Sequence, residues 1–213
     1  MNEKKNLTTE ETFALAFQNH KKNNLQIAEN LYEETLKINP NHFQSNFLLG
    51  TLSARIKKFD IAKQLLNKAI KIDPNYMEAH NNLGNVLKEL REFQNAIICY
   101  EKAIQINPNY AQAHNNLGTV FYELQESQKA ISCFLKATQI QSDYAEAHNN
   151  LGIAFKKLKE SQKAISCYEK AIQINPNYVQ ALNSLGTVFQ ELKESQKAIS
   201  CYEKAIQINP NYA

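Results

Sequence analysis

The feature that most constrains this chain is a 34-residue period shared by its special residues. The five prolines and the four cysteines follow it, from Pro40 to Pro210 and from Cys99 to Cys201, and only Ser142 interrupts the proline series. The five glycines follow it as well, at Gly50, Gly84, Gly118, Gly152 and Gly186. A fixed period of this length is typical of a tandem array, in which each unit buries its apolar face against its neighbours.

Within one period the apolar residues form two helical stripes. In residues 77–110 the first stripe runs from Met77 to Leu90 and the second from Phe93 to Ile106. Each glycine lies inside a first helix, where glycine costs up to about 1 kcal/mol relative to alanine. We therefore predict that two helices approach closely at each glycine. The predicted partners are the alanines of the second helices, Ala28, Ala62, Ala96, Ala130, Ala164 and Ala198.

This pattern predicts an all-α, right-handed α-solenoid of six helix-turn-helix repeats. Residues 1–8 are predicted to be a flexible tail, in which Thr8, together with Glu11, has the pattern of a capping box for the first helix. Residues 9–213 are predicted to be one array, with repeats at 9–42, 43–76, 77–110, 111–144, 145–178 and 179–212. The Asn-Pro pair that follows most second helices is expected to end them, because proline disfavours the α conformation of the preceding residue.

The repeats resemble those of the tetratricopeptide repeat family. The third repeat has the signature residues of that family at their fixed offsets: His80, Leu83-Gly84, Leu87, Ala96, Tyr100, Ala103 and Pro108. The resemblance implies that the first helices line a concave groove. It also implies a non-catalytic scaffold that binds protein or peptide segments in that groove.

Paired asparagines on the first helices are the strongest functional signal. An asparagine side chain has two donors and an acceptor, which match one peptide unit of an extended ligand. The pairs resemble the asparagine ladder in the superhelical arm of O-linked N-acetylglucosamine transferases, although bonding between adjacent first helices is the alternative. The predicted peptide-binding groove consists of Asn81, Asn82, Asn85, Asn115, Asn116, Thr119, Tyr122, Asn149, Asn150, Lys156, Asn183 and Thr187. Its variable positions either encode specificity or reflect neutral drift.

The residues that could suggest a metal or a catalytic site have structural interpretations. The histidines at 80, 114 and 148 share one repeat position, so about 8–10 Å of helix packing separates them, too far for one zinc ion. The cysteines also share one position and are predicted to be reduced, buried thiols. Three serines before the second helices are predicted N-caps, namely Ser127, Ser161 and Ser195. We predict no cofactor, no metal site and no catalytic residue.

Charge and hydropathy limit the classes of partner. A net charge of +3 over 213 residues gives no concentrated basic stripe, so we expect no nucleic-acid binding. No run approaches the roughly 20 apolar residues of a spanning helix, so we expect no membrane partner. The isolated cysteines, one per repeat and without a Cys-x-x-Cys pair, favour a cytoplasmic location. The paired-carboxylate clamp of chaperone-tail binders in the family is not expected here. Its cations are missing where Asn81-Asn82 and Asn115-Asn116 stand.

The sequence stops one step into a seventh repeat, without a polar helix to cover the sixth. Three interpretations remain open: a longer protein, self-association through the last repeat, or fraying of the last helix. The alternative function is accordingly the substrate-recognition arm of a larger, glycosyltransferase-like enzyme whose catalytic domain lies beyond Ala213. A purely structural assembly unit is the third.

Overall fold

The computed structural model describes residues 7–211, and this part of the chain forms twelve α-helices and no strand. Every helix has 13 or 14 residues. They form six pairs: α1 Thr9–Lys21 with α2 Leu25–Ile38, α3 Phe43–Arg55 with α4 Phe59–Ile72, α5 Met77–Glu89 with α6 Phe93–Ile106, α7 Ala111–Glu123 with α8 Ser127–Ile140, α9 Ala145–Lys157 with α10 Ser161–Ile174, and α11 Val179–Glu191 with α12 Ser195–Ile208. The predicted all-α chain of helix-pair repeats is confirmed.

The N-terminal end of the array begins with the expected cap. The Thr8 side chain accepts from the backbone N–H of Glu11, and the Glu11 carboxylate accepts from the backbone N–H of Thr8 at 2.9 Å. The predicted capping box is therefore confirmed. Most of the predicted flexible tail, residues 1–6, lies outside the described residues.

A left-handed residue closes the turn inside each repeat. In the fifth repeat Lys159 has φ 61°. Its N–H donates to the Lys156 carbonyl, and the N–H of Glu160 donates to the Phe155 carbonyl. These two bonds are the Schellman motif, which usually has glycine at the left-handed position. Here the six positions are Asn23, Lys57, Arg91, Gln125, Lys159 and Lys193. The sequence did not reveal this turn, because no glycine marks it.

The second helices end before the proline position, whether or not proline is present. Asn175, ahead of Pro176, has φ −127° and ψ 94°, so the expected helix end is confirmed there. Gln141 precedes Ser142 and has φ −127° and ψ 95°. The surroundings of the repeat thus end the helix even without the local restriction that proline imposes.

The glycines do permit close helix packing, but the predicted contact partner is wrong. A Cβ placed on Gly152 would lie 2.7 Å from a ring carbon of Tyr168, and one on Gly118 equally close to Phe134. The partner is therefore the large residue of the second helix rather than its alanine. The alanines are also buried, between 0% and 3% exposed, but the ring occupies the space that the missing Cβ leaves.

The repeats fall into two compact units that meet in sequence at Asn107 and Pro108. Helices α1–α6 belong to the first unit and α7–α12 to the second. In both, a second helix packs on its own first helix and on the next first helix. Successive first helices also contact each other: α7 contacts α9, and α9 contacts α11. No described pair of second helices has contacts of similar extent. The first helices therefore line the inner side of each unit, here called the first-helix face.

Among residues 7–211 no helix is both long and apolar enough to cross a lipid bilayer.

Candidate functional site

The asparagine pairs lie on the first-helix face at different depths. The first members, Asn81, Asn115 and Asn149, are buried, whereas the second members, Asn82, Asn116 and Asn150, are half-buried. Asn183, the corresponding residue of the last repeat, is exposed. Depth therefore separates residues that a ligand reaches directly from residues below them.

Some of these asparagines hydrogen-bond between successive repeats. In the C-terminal unit Asn150 Nδ2 donates to Asn115 Oδ1 at 3.0 Å, and Asn115 Nδ2 donates to Glu146 Oε1 at 3.1 Å. In the N-terminal unit Asn82 Nδ2 donates to Thr51 Oγ1 at 3.2 Å. The alternative of bonding between adjacent first helices is thus present in both units. That the same residues hold a peptide backbone stays a prediction.

The C-terminal unit has a cavity of about 530 Å³ on its first-helix face. Three first helices and one second helix contribute to its walls, which are formed by Tyr122, Ile153, Lys156, Lys157, Tyr168, Asn183, Ser184 and Thr187. Tyr122 also borders a smaller hollow of about 60 Å³, formed with Thr119, Phe134, Asn150 and Ile153. A volume of about 530 Å³ lies within the range of protein ligand sites, about 300–1,000 Å³.

These two cavities bring together six of the predicted residues: Thr119, Tyr122, Asn150, Lys156, Asn183 and Thr187. Five further residues of their walls lie outside the predicted set: Phe134, Ile153, Lys157, Tyr168 and Ser184. Ser184 follows Asn183 where the two preceding repeats have a second asparagine, at Asn116 and Asn150. The break at Ser184 was the available signal, because a shorter side chain leaves space.

The cavity is cationic. Lys156 Nζ lies 3.0 Å from Glu191 Oε1, so an ion pair compensates its charge. Lys157 Nζ lies 4.8 Å from the centre of the Tyr122 ring, a cation–π distance, and forms no ion pair with a described carboxylate. None of the residues that form the cavity walls is acidic.

Tyr168 is fully buried beneath this cavity, and its hydroxyl has no hydrogen-bond partner among the residues that the structure describes. Burial raises the pKa of Tyr168, and the nearby Ser184 hydroxyl opposes that rise, although the two groups do not meet hydrogen-bond geometry. The corresponding tyrosines of other repeats are bonded: Tyr100 to Asn85 Oδ1 at 2.8 Å and Tyr202 to Gln190 Oε1 at 3.1 Å. The fifth repeat is thus unusual in its buried hydroxyl.

The first two repeats of the N-terminal unit have aromatic residues where its third repeat and the C-terminal unit have asparagines. Phe13 and Phe47 occupy the repeat position of Asn115. The Phe47 ring packs edge-on against Tyr76, with centres 4.9 Å apart, and Phe43 packs on the same ring at 5.0 Å. This face therefore offers apolar contacts and few amide groups.

A wider hollow of about 910 Å³ lies on the N-terminal unit, away from the predicted residues. It is formed mainly by polar side chains, those of the exposed Asn41, Gln64, Asn67 and Lys71 and the half-buried Lys68, together with Ile72. None of these six residues is buried, so the size of the hollow reflects an open surface.

The repeated histidines hold the loops between repeats. Nε2 of His80, His114 and His148 lies 2.9, 3.0 and 3.1 Å from the carbonyl oxygen of residue 74, 108 and 142, respectively. The residues described by the structure contain no group of three or more potential metal ligands. Burial is the main cause that lowers the pKa of His114 and His148, in part opposed by the carbonyl bond.

The three serines near the starts of the second helices do not occupy the predicted N-cap position. Ser127, Ser161 and Ser195 are the first helical residues rather than N-caps, and the caps are Glu126, Glu160 and Glu194. The N-cap prediction is therefore wrong by one residue. Each glutamate pairs instead with the lysine three residues later.

Three of the cysteine thiols are half-buried and Cys201 is buried. Burial raises the pKa of Cys99 and of Cys167 to about 11. Thiols with a raised pKa are poor nucleophiles, because the thiolate is the reactive form.

Solved structures with the same fold include several repeat proteins. The crystal structure of MamA has 28% identity and a TM-score of 0.67, over 76% of this chain and 95% of that one. YrrB, described as "a TPR protein with an unusual peptide-binding site", has 20% identity and a TM-score of 0.63, over 85% and 93%. PilW, described as a "widely conserved type IV pilus biogenesis factor", has 19% identity and a TM-score of 0.85, over 98% and 96%. The comparison with curated proteins finds no match.

Family models identify the repeats themselves. The model described as "Tetratricopeptide repeat" matches residues 145–178 and 179–212. The model described as "TPR repeat" matches residues 57–91, 84–125 and 118–159. Together these matches extend over residues 57–212, which is more than half of the chain. The chain therefore belongs to the tetratricopeptide repeat family.

Proposed function

We propose that this chain is a non-catalytic scaffold that binds an extended segment of a partner protein on the first-helix face of its C-terminal unit. The observation that carries the proposal is the cavity of about 530 Å³, because residues of α7, α9 and α11 meet there. A ligand that crosses three successive first helices is elongated. An extended peptide has that shape, and tetratricopeptide repeats typically serve protein interactions.

The chemistry of the cavity suits a peptide better than a compact metabolite. Tyr122 and Ile153 offer apolar contact for a side chain, and the exposed Asn183 offers amide donors and an acceptor for a peptide unit. Binding of a short extended peptide by such a surface is expected to be micromolar, about −8 kcal/mol. The peptide-binding site with which the YrrB structure is described is in accord with this class of ligand.

The buried asparagines have an indirect role in this proposal. Asn115, with its bonds to Glu146 and Asn150, keeps α7 and α9 in register beneath the ligand. Asn150, which borders the smaller hollow, and the exposed Asn183 are the amides that a ligand meets first. Loss of Asn115 would therefore weaken binding through the position of the helices.

A display library of random 12-residue peptides, selected on the full 213-residue chain, tests the proposal. The Tyr122→Ala variant is expected to lower the affinity of selected peptides about tenfold, because aromatic anchors dominate such interfaces. Lys170→Ala, at an exposed position of the second helix α10, is the matched control and should leave affinity unchanged. Peptides whose affinity responds to Lys170 but not to Tyr122 would contradict the proposed face.

A further inference from the structure

The fifth repeat lacks both side chains that bond the corresponding tyrosine elsewhere. Ile153 stands where Asn85 accepts from Tyr100 in the third repeat. Lys156 stands where Gln190 accepts from Tyr202 in the sixth repeat, and Lys156 pairs with Glu191 instead. Tyr168 therefore retains a hydroxyl donor at full burial without an acceptor. Buried polar groups without partners are rare in native proteins and call for a physical explanation.

A second unsatisfied atom lies at the same junction. Asn115 Oδ1 accepts from Asn150 of the next repeat, but Asn149 Oδ1 has no donor. The residue one repeat after Asn150 is Ser184, whose side chain is shorter. The change from asparagine to serine thus removes a bond between repeats and leaves space beside Tyr168, where Ser184 forms part of the cavity wall.

Positive charge is placed beside these hydroxyl groups. Lys157 lies over the Tyr122 ring and has no described carboxylate as a partner. Lys156 forms one described ion pair, with Glu191. Hydroxyl and ammonium donors that meet in one cavity, without an acid among its walls, form a site suited to an anion.

We propose that this cavity binds the carboxylate side chain of an aspartate or glutamate in the partner segment. The Ser184 hydroxyl donates to the carboxylate and accepts from the Tyr168 hydroxyl, while Lys157 supplies the opposite charge. This inference rests on the proposed function, because it names the side chain that the bound segment must carry. It makes the fifth and sixth repeats the specificity-determining part of the chain.

The probes are pools of 12-residue peptides, random except for one central residue fixed as Glu, Gln, Lys or phosphoserine. Their binding to the full chain is measured by fluorescence anisotropy. The Glu pool should bind about tenfold more tightly than the Gln pool, as expected for a charge-assisted hydrogen bond. Tighter binding of the phosphoserine pool than of the Glu pool would overturn the assignment of a carboxylate in favour of phosphate.

Two lysine variants separate the local charge from the net charge. Lys157→Gln should bring the Glu and Gln pools to within about twofold of each other, because the opposite charge is lost. Lys159→Gln removes the same charge two residues away, at a left-handed position where the fourth repeat already has Gln125. The Glu preference should survive in Lys159→Gln, and its loss there would overturn the site.

Two further variants test the hydroxyl groups in a chain that remains folded. Tyr168→Phe, which reproduces the residue found at Phe134 of the fourth repeat, should reduce the ratio of the Glu-pool affinity to the Gln-pool affinity about threefold or more. Ile153→Asn restores the partner found at Asn85 and should reduce the same ratio, although loss of the apolar side chain weakens the binding of every pool. Preference retained in both variants would overturn the role of Tyr168.

The proposed function and this inference fail in distinguishable ways. If no pool responds to Tyr122→Ala, the proposed binding face is wrong and the inference falls with it. If pools bind at that face with equal affinity for Glu and Gln, only the carboxylate site is wrong. Thermal unfolding of each variant identifies loss of binding that arises from loss of fold.

Discussion

Helices α10 and α12 have the same fourteen-residue sequence and different surroundings. Helix α11 packs on α10, whereas no other described helix covers the corresponding face of α12 to a similar extent. As a result Ile165 is 6% exposed and its counterpart Ile199 is 48% exposed. Tyr168 is fully buried, and Tyr202 is half-buried. Identical sequences thus differ in stability contribution, because a repeat gains most of its burial from its neighbour.

This comparison also bears on self-association. The face of α12 that contains Ile199 and Ile206 is chemically the face that α10 presents to α11. We propose that a second copy of the chain covers it at high concentration, which sedimentation equilibrium measures. Replacement of both isoleucines by glutamate should abolish any concentration-dependent mass, and an unchanged mass would show that association uses another surface.

The largest expected difference concerns the isoleucine pair. Ile165→Ala should lower the free energy of unfolding by about 2–4 kcal/mol, because it removes a buried side chain and leaves a cavity. Ile199→Ala should lower it by less than about 1 kcal/mol, because the Ile199 side chain is already exposed to solvent in the folded chain. Urea denaturation of both variants measures the difference. Equal losses would mean that another element covers α12.

The glycine pair should give the next largest effect. A Cβ on Gly152 would lie 2.7 Å from the Tyr168 ring, and one on Gly186 would lie 2.6 Å from the Tyr202 ring. Gly152→Ala should cost about 1–3 kcal/mol, because a fully buried ring cannot move aside. Gly186→Ala should be nearly neutral, because Tyr202 can shift towards solvent and alanine favours the helix by up to about 1 kcal/mol. Thermal unfolding distinguishes the two, and a costly Gly186→Ala would show that Tyr202 is held as firmly as Tyr168.

In contrast to these pairs, substitutions in the turns that precede α10 and α12 should have equal effects on the free energy of unfolding. Lys159 and Lys193 precede α10 and α12 with φ of 61° and 63°. Replacement of either by glycine should stabilise the chain by up to about 1 kcal/mol, because glycine enters the left-handed region without steric cost. The gain should be the same at both positions, since the strain is local. Chemical denaturation of the two single variants checks this, with Lys170→Gly inside α10 as a control that should destabilise.

The smallest effect concerns pH and the first helices α9 and α11, which carry His148 and Leu182 at one repeat position. Burial lowers the pKa of His148 in the folded chain, so the unfolded chain takes up its proton first as the pH falls below about 6.5. The contribution of the neutral His148 to the free energy of unfolding is therefore fully present above that pH and declines below it. His148→Asn should reduce the decline, because asparagine does not titrate. The loop bond should be kept, since Asn46 makes the same bond, at 3.0 Å to the Pro40 carbonyl.

Unfolding measured at about pH 7.5 and about pH 5.5, on either side of the ordinary histidine pKa, tests this expectation. Leu182→Ala is a control that changes stability equally at both values, because no titrating group is involved. An unchanged pH dependence in His148→Asn would show that His148 does not contribute to it.

The sequence alone determined the repeat and its two helices, because both depend on local apolar periodicity, and the end of most second helices, because proline follows it. It also predicted a candidate binding face, since the asparagine pairs, Lys156 and Thr187 lie on the first helices at related repeat positions. The structure brought six of the predicted residues to two adjoining cavities. The capping box at Thr8 was equally predictable, because its partners are three residues apart.

Only the tertiary structure decided which side chains meet across repeats. Four of the five glycines face aromatic rings and Gly50 faces leucine side chains, Asn115 bonds to the next repeat, and α8 ends without proline. The unpaired hydroxyl of Tyr168 is the clearest case. Tyr202 has the same local sequence and is bonded, because its partner Gln190 comes from the preceding first helix, and the fifth repeat has Lys156 at that position. A periodic sequence specifies each repeat, but packing of one repeat on the next determines what each residue does.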